Sequence, residues 1–526
     1  MPQAKTPLIA RHSLWTENGA GIVMSFAALL GLSWFFCGVS EGDDTYIYMR
    51  YVKSYLTTGA FTFNPGEVSL GITSLLWPLV MLPVSALFGV DVYVWKLASS
   101  FAYALGGVAM FVSLRRLGFS TPRSLGLTLC LVLNVLALRW SGTGMDNGVA
   151  DTITTLAICL LVLAAYDRDV NPQVLGVTLA VMPFARPELA LLSMSITLFV
   201  VRTRGLVNSY TIRMIAAAVG TSLFFLLAAY LIIGDVFPQT LEAKSISGME
   251  TATTQKTLAV ALVGSGVFGM SLGAFCLSRR SFGEKQWLLH VIVPLGLIIL
   301  FLANHKIGIS TRYETYLALP LLVSGIFCVG LHSRHTVRRV VVALQMLLAI
   351  GVAGYFWPAT RTSDGEQIGS LIASLEASVP PDARIAAGEI GALGFYSSWY
   401  VIDLVGLVDR KSLDYLRVKG PPESGDELNE MLYRRGATHF IEKSSENLKD
   451  TMQEFECADR IPVASGRVMR KTLASAGETT NALWLALRRW FTGASEKNII
   501  WIAYRMKYRH DSTAAGCTYL RSAPTL

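Results

Sequence analysis

The apolar stretch GAGIVMSFAALLGLSWFFCGV at residues 19–39, followed at residues 42–67 by GDDTYIYMRYVKSYLTTGAFTFNPGE, decides the fold class of this chain. The first stretch is long enough to cross a bilayer as a helix. Basic residues precede it and no small-residue cleavage site separates it from Glu41, so it is predicted to remain as a signal anchor. Two adjacent carboxylates, Asp43 and Asp44, then follow at the membrane boundary, where a charged group is costly.

The composition is that of a membrane protein. Of 526 residues, 52% are hydrophobic and 16% are charged, and the mean hydropathy is +0.46. This is too apolar for a soluble globular protein of this size. The net charge of +8 could indicate a nucleic-acid partner, but the basic residues lie in short clusters between apolar runs, as in the cytoplasmic loops of membrane proteins. Membrane lipid is therefore predicted as a partner and nucleic acid is not. The seven cysteines form no CxxC motif, which argues against a zinc or redox site.

The apolar runs predict a polytopic α-helical membrane protein with about eleven transmembrane helices. These spans lie near residues 19–39, 92–114, 124–140, 148–166, 173–185, 188–201, 214–233, 257–278, 286–303, 313–331 and 339–357.

A further apolar run, residues 72–88, decides the orientation of everything after it. If this run does not cross, all later basic clusters fall on the side of the N-terminus, and if it crosses, all of them fall outside. The positive-inside rule favours the first arrangement. We therefore predict a juxtamembrane or re-entrant helix there, a cytoplasmic N-terminus and an extracytoplasmic C-terminal domain.

Three regions are predicted along the chain. Residues 1–357 form the transmembrane domain, and its first outside loop, residues 41–71, carries the chemistry. Residues 358–465 have soluble composition with alternating helix and strand patterns, which predicts a small α/β domain. Residues 466–526 form a basic, tryptophan-bearing amphipathic tail of unknown role, predicted either to lie on the membrane surface or to pack on the domain as a helix.

The pair Asp43 and Asp44 is the strongest chemical signal. Adjacent carboxylates repel each other, so a purely structural role explains them poorly. They could hold a divalent cation, or one of them could take a proton from an acceptor hydroxyl as a general base. The alternative is a solvated loop in which an aspartate caps a helix. Asp146, in a short turn predicted at the same face, could either join these acids or cap the next helix.

The sequence resembles the GT-C glycosyltransferases, in particular the subgroup with the actinobacterial arabinofuranosyltransferase that adds terminal β-1,2 residues from decaprenyl-phosphoryl-arabinofuranose. The matching positions of the first outside loop are Asp43, Asp44, Tyr46, Ile47, Arg50, Tyr51, Gly59, Asn64, Pro65, Gly66, Glu67, Gly71, Thr73, Ser74 and Trp77. Later pieces match in order, namely GMDNG (144–148), ARPEL (185–189), GDVFPQTLEAK (234–244), Arg312-Tyr313, GEIGALGFYS (388–397) and IDLVGLVD (402–409). The chain departs at Leu70, where the subgroup often has a glutamate, and nothing is matched beyond about Val463.

This resemblance implies that a sugar is moved from a polyprenyl-phosphate donor to a hydroxyl of a cell-envelope glycan or glycolipid, at the outer face of the cytoplasmic membrane. Asp43 or Asp44 would be the general base, and a divalent cation such as Mg or Mn, if one is used, would be held by Asp43, Asp44 and Asp146. The predicted donor-phosphate ligands are Arg312, Lys244 and Arg186. The predicted substrate-binding residues are Tyr46, Arg50, Asn64, Glu67, Thr73, Asp146 and Glu188.

Two other functions compete with this interpretation. A transporter or flippase of lipid-linked saccharides would also need many spans and buried polar groups. It would not need an acid pair in an outside loop or a large outer domain. A non-catalytic subunit that scaffolds polysaccharide assembly predicts that loss of Asp43 and Asp44 leaves sugar transfer intact.

Overall fold

The computed structural model describes residues 42–234, 238–246, 312–333, 335–356, 369, 372–373, 375–377, 379–422, 425–445, 458–468 and 499–508. The spans predicted near residues 19–39, 257–278 and 286–303 lie outside these residues.

The part of the chain before residue 357 is helical wherever it forms regular structure in the described residues. The helices are α1 Asp43–Thr58, α2 Leu76–Phe88, α3 Val92–Arg116, α4 Thr121–Val132, α5 Val135–Ser141, α6 Asn147–Ala165, α7 Pro172–Ala185, α8 Leu189–Arg204, α9 Ser209–Ile233, α10 Gln239–Ile246, α11 Arg312–His332 and α12 His335–Phe356.

Among the described residues, α3, α6 and α9 are each long and apolar enough to cross a membrane. Helices α2 and α7 and the segment Ala318–His332 are apolar but shorter. The predicted α-helical membrane protein is therefore supported, while the number of about eleven spans stays a prediction.

Helices α3 and α6 run in the same direction side by side. Near their starts, a Cβ on Gly148 would lie only 1.9 Å from the Ser99 carbonyl oxygen, so α6 approaches α3 at backbone contact and only glycine fits. At the other end, the Arg116 guanidinium donates to the Asp169 carbonyl oxygen (3.1 Å). We call the end with the start of α6 the acidic end, defined by Asp43, Asp44 and Asp146. We call the other the basic end, defined by Arg116, Arg123, Arg168, Arg204, Arg213, Arg338 and Arg339.

Helix α2 begins and ends at the acidic end. Trp77, in its first turn, donates from Nε1 to the Gly144 carbonyl oxygen (3.2 Å), and Ser85, in its last turn, accepts from Trp95 Nε1 (3.1 Å) at the start of α3. With only 13 residues, α2 is also too short for a full span. The juxtamembrane or re-entrant position of this helix in the membrane stays a prediction.

The C-terminal part of the chain, for which we keep the predicted name outer domain, is an α/β fold with strands β1 Arg384–Ala387, β2 Tyr400–Asp403, β3 His439–Ser445, β4 Ala458–Val468 and β5 Ile499–Tyr508. Its helices are α13 Gly391–Tyr396, α14 Arg410–Lys419 and α15 Gly425–Arg434. The strand order in the sheet is β2-β1-β3-β5-β4. β1 is parallel to β2 and β3, whereas β5 is antiparallel to β3 and β4.

Strand β5 corrects the predicted tail. Residues 499–508, which were assigned to a surface or helical segment, form a strand hydrogen-bonded on both sides, and β4 itself runs past residue 465. The alternating IIWIAYRMKY stretch pairs with β3 residues about sixty positions earlier, for example Ala503 with Ile441. A local amphipathic pattern did not reveal this partner because strand pairing is not local in sequence.

The first outside loop and the outer domain share one apolar core. Tyr46 packs against the rings of Phe395 (5.6 Å between centroids) and Tyr396 (5.4 Å). The Asn64 side chain donates to the Val401 carbonyl oxygen (2.8 Å) and accepts from the Val401 amide (3.0 Å), as a neighbouring strand would. The outer domain is thereby held against the loop that carries the acid pair.

Candidate active site

Asp43 holds the outer domain onto α1. Its carboxylate accepts hydrogen bonds from three successive backbone amides, Ile390 (3.1 Å), Gly391 (2.8 Å) and Ala392 (3.0 Å), at the start of α13. A helix N-terminus presents unsatisfied N–H groups and a partial positive charge to such an anion. Burial raises the pKa of the Asp43 carboxyl to about 6, and the nearby Glu389 adds to the rise. Asp43 thus caps a helix in the other domain, and its oxygens are occupied.

Asp44 faces a different space. It lines a small cavity at the acidic end, together with Arg186, and the cavity volume of about 20 Å³ is enough for one water molecule. The same cavity is lined by Tyr48, Thr73 and Thr240. An acid and a guanidinium therefore face one small chamber that also offers hydroxyl groups. Of the two predicted bases, Asp44 is the one that lines this chamber.

Arg186 is fixed by Asp146. The guanidinium donates from one NH₂ group to Asp146 Oδ1 at 2.8 Å, and both side chains are 1% exposed. Tyr48 donates its hydroxyl hydrogen to Asp146 Oδ2 (3.1 Å) while its oxygen accepts from the Ser74 amide (2.8 Å). A buried charge pair is tolerated only with such additional hydrogen bonds. This arrangement holds Arg186 at the chamber wall.

Thr73 and Glu188 complete the substrate-binding predictions at this end of the bundle. Thr73 Oγ1 lies 3.5 Å from Thr240 Oγ1 at the chamber. Glu188 immediately precedes α8, and its Oε2 atom is buried with no hydrogen-bond partner among the described residues.

Four other predicted substrate-binding residues have structural contacts instead. Arg50 donates to the carbonyl oxygens of Phe63 (3.1 Å) and Ser397 (3.3 Å), and Glu67 accepts from the Tyr400 hydroxyl. Tyr46 and Asn64 join the core shared with the outer domain, as described above. These side chains contact the outer domain. The sequence pattern does not show whether such a residue contacts another part of the protein or a sugar.

The two remaining phosphate-ligand predictions cannot be compared with this geometry. Lys244 belongs to α10 and Arg312 is the first residue of α11, but their side chains lie outside the described residues. Both stay predictions, and Arg186 is the predicted phosphate ligand that lines the chamber.

The donor set does not fit the predicted metal site of Asp43, Asp44 and Asp146. In the described part of the chain, no three His, Cys, Asp or Glu side chains come together as metal ligands would. Asp43 is bonded to backbone amides and Asp146 to Arg186 and Tyr48, so these two carboxylates serve different partners. A three-carboxylate centre is therefore not formed by these residues.

Two chamber residues were missed by sequence reasoning. Tyr48 lies four positions after Asp44 in α1, and this spacing places both on one helix face, a signal that was available. Thr240 lies in the PQTLEAK stretch that was matched to the subgroup, but no role was assigned to it. Its neighbour Gln239 donates to the Gly406 carbonyl oxygen of the outer domain (3.0 Å).

Comparison with known proteins gives the fold. The chain is similar to the crystal structure of ArnT from Cupriavidus metallidurans bound to undecaprenyl phosphate, with a TM-score of 0.56 and 10% identity over 92% of this chain and 98% of that one. The apo state of that protein gives a TM-score of 0.55 with the same identity and coverage. The Archaeoglobus fulgidus oligosaccharyltransferase, tethered with an acceptor peptide, gives 0.53 and 10% identity over 82% of this chain and 70% of that one.

Sequence comparison adds less. Residues 357–484 match a family described as a domain of unknown function (DUF8728). No curated protein sequence matches the chain significantly. The structural likeness shows that this chain shares the fold of these proteins, while the GT-C superfamily and the arabinofuranosyltransferase subgroup stay predictions.

Proposed function

We propose that this protein is a membrane glycosyltransferase that moves a sugar from a polyprenyl-phosphate donor to a hydroxyl of a cell-envelope glycan or glycolipid. The observation that carries the proposal is the chamber that Asp44 and Arg186 line together, at the end of the bundle where the outer domain is docked. The undecaprenyl phosphate bound to ArnT supports a lipid phosphate as the donor's leaving group. Arabinofuranose is the proposed sugar, on the sequence resemblance alone.

The proposed chemistry is one displacement. Asp44 accepts the proton of the acceptor hydroxyl as its oxygen forms a bond to the anomeric carbon. The bond from that carbon to the phosphate oxygen breaks, and its electron pair leaves with the phosphate. Arg186 stabilises the negative charge that develops there, in the position that Asp146 fixes. Because attack and departure occur on opposite faces, the configuration at the anomeric carbon inverts.

The proposed location is the cytoplasmic membrane, with the acidic end and the outer domain on the extracytoplasmic side. The grouping of arginines at the basic end supports this orientation, because cytoplasmic loops carry the excess of Arg and Lys.

The test is a transfer assay with the purified full-length protein and a panel of polyprenyl-phosphate sugars that includes the decaprenyl-phosphoryl-arabinofuranose donor. We expect Asp44→Asn, which keeps the shape and removes the base, to lower the turnover rate about 100-fold or more. Asp91→Asn is the matched control, since Asp91 caps α3 and asparagine caps equally well. Parallel assays with and without a chelator determine whether a divalent cation contributes.

The competing functions give different results in this assay. A flippase would move labelled donor across proteoliposome membranes without forming product. A scaffold would form no product alone, and Asp44→Asn would not change transfer in the native assembly. Either result contradicts the proposed function.

A further inference from the structure

A second cleft lies at the basic end of the bundle, between α4 and α12. The chamber lies at the opposite, acidic end. The volume of the second cleft is about 440 Å³. The basic side chains that line it are Arg123, His335, Arg338 and Arg339. The proposed sugar transfer uses none of them.

The positive charge of this cleft is not neutralised by the described residues. A positive charge on His335 is disfavoured by the charges of Arg339, Arg123 and Arg338. In the described part of the chain, no acidic side chain forms an ion pair with any of these four residues. Arg338 donates to the Ser333 carbonyl oxygen (2.9 Å), and its buried Nε has no hydrogen-bond partner among these residues. The cleft is therefore suited to an anion.

A neighbouring basic cleft differs in this respect. It is lined by Arg116, Arg168, Arg204 and Arg213, but Asp167 and Asp169 line it as well, so four positive charges face two negative ones. The cleft between α4 and α12 is lined by three arginines and by no acidic residue, so its excess of positive charge is larger.

The lining of the cleft also has an apolar part, formed by Leu127 and Val342. On α12, the side chains of Val340 (51% exposed), Leu344 (48%) and Leu347 (66%) form an exposed apolar stripe at helical spacing. A soluble anion would not contact this apolar surface. A lipid with a charged headgroup would contact both the arginines and the apolar residues.

Gly126 gives an independent indication of an occupant. It lies inside α4 and lines the cleft, yet a Cβ there would meet no other atom of the described residues within 4 Å. A glycine inside a helix is less stable than an alanine, and no described protein group approaches closely enough to require the glycine here. A ligand chain lying against the α4 backbone would account for the missing side chain.

We propose that the cleft between α4 and α12 binds an anionic phospholipid of the surrounding leaflet. Its phosphate lies among Arg123, Arg338 and Arg339, and an acyl chain follows Gly126 and Val342 along the apolar part of the lining. Phosphate on a guanidinium is a charge-assisted contact, which the low dielectric at the membrane boundary strengthens.

The experiment measures lipid binding to the purified full-length protein in nanodiscs or mild detergent, by native mass spectrometry and thermal unfolding. The probes are phosphatidylglycerol, phosphatidylcholine and inorganic phosphate. Arg123→Gln with Arg339→Gln removes two charges, and Gly126→Leu fills the cleft in a place where the structure leaves room for a side chain. The matched control is Arg116→Gln with Arg213→Gln, which removes the same charge from the neighbouring cleft.

We expect the wild type to bind phosphatidylglycerol in preference to phosphatidylcholine. The Arg123 and Arg339 double variant should bind it about tenfold more weakly, the Gly126 variant should also lose affinity, and the control pair should stay within about twofold of wild type. Unchanged unfolding temperatures in phosphatidylcholine verify that all variants fold. Equal binding by all variants overturns the proposal, as does stabilisation by inorganic phosphate that Gly126→Leu leaves intact. These readouts need no sugar transfer, so they stand apart from the proposed enzyme activity.

Discussion

At the residue scale, the pair Arg186 and Asp146 shows how the helical bundle accommodates a buried charge. Both side chains are buried, and Tyr48 supplies the second partner of the carboxylate. Removing one partner of a buried pair leaves an uncompensated charge, while replacing both by apolar groups of similar size can restore stability.

A first prediction separates the two roles of this pair. Asp146→Ala should destabilise the protein by about 3 to 5 kcal/mol and abolish transfer. The double variant Asp146→Leu with Arg186→Met should recover most of the stability and remain inactive, because the proposed phosphate ligand is absent. Unfolding of the detergent-solubilised protein and the transfer assay give the two readouts. Recovery of activity along with stability would show that Arg186 has no role beyond packing.

Asp43 gives a prediction about pH. Its pKa is about 6 in the folded protein and 3.8 ordinarily, so the folded state holds a proton between these values that the unfolded chain releases. The contribution of this group to stability is therefore complete below about pH 4 and is lost as the pH rises through about 6. Because the side chain is only partly buried, we expect an effect of about 1 kcal/mol.

The measurement compares thermal unfolding of the wild type and Asp43→Asn between pH 4.5 and pH 7.5 (~1.5 units below and above the folded pKa). The stability advantage of the wild type should widen as the pH falls, since asparagine does not titrate. Asp91→Asn serves as an exposed control that should follow the wild-type curve. Parallel curves for wild type and Asp43→Asn would contradict the raised pKa.

At the element scale, the contact between α1 and α13 joins the outer domain to the acid pair. α13 is only six residues long, and its N-terminus is capped by a side chain from another domain. Gly391 makes this possible, because a Cβ there would lie 1.9 Å from the Asp43 carbonyl oxygen. The glycine at position 391 of the GEIGALG segment is therefore explained by the close approach of two backbones.

Gly391→Ala should push α13 away from Asp43 and weaken the docking of the outer domain. We expect at least a tenfold loss of transfer and easier proteolysis between the two parts, as a displacement of about 1 Å near a reacting group can cost this much or more. Gly388→Ala is the control from the same segment, since its Cβ would meet nothing within 4 Å. Equal behaviour of the two variants would show that the close contact is not needed.

At the scale of the whole molecule, the outer domain is completed by strand β5. This strand lies between β3 and β4, so β4 joins the sheet only through it. Ala503→Pro should remove a ladder hydrogen bond from an interior strand and unfold this half of the sheet, whereas Ala503→Ser should be tolerated. Limited proteolysis and circular dichroism of the purified protein test this. A sheet that survives the proline would mean that residues 499–508 are dispensable.

The sequence determined the features that depend on local pattern and composition. Apolar runs predicted the helical membrane part, and alternating helix and strand patterns in residues 358–465 predicted an α/β domain. The acid pair was identified because charged groups are costly at a membrane boundary, whereas Arg186 and Thr73 were predicted from the family resemblance.

Only the tertiary structure decided which carboxylate lines the chamber and which side chains contact the outer domain. Asp43 and Asp44 are adjacent in sequence, yet one caps a helix more than three hundred residues away and the other faces the chamber. The same is true of Asn64 and Arg50, whose partners Val401 and Ser397 lie in the outer domain. A side chain's chemistry depends on what surrounds it in space, and contacts between distant segments leave no periodic signal in the chain.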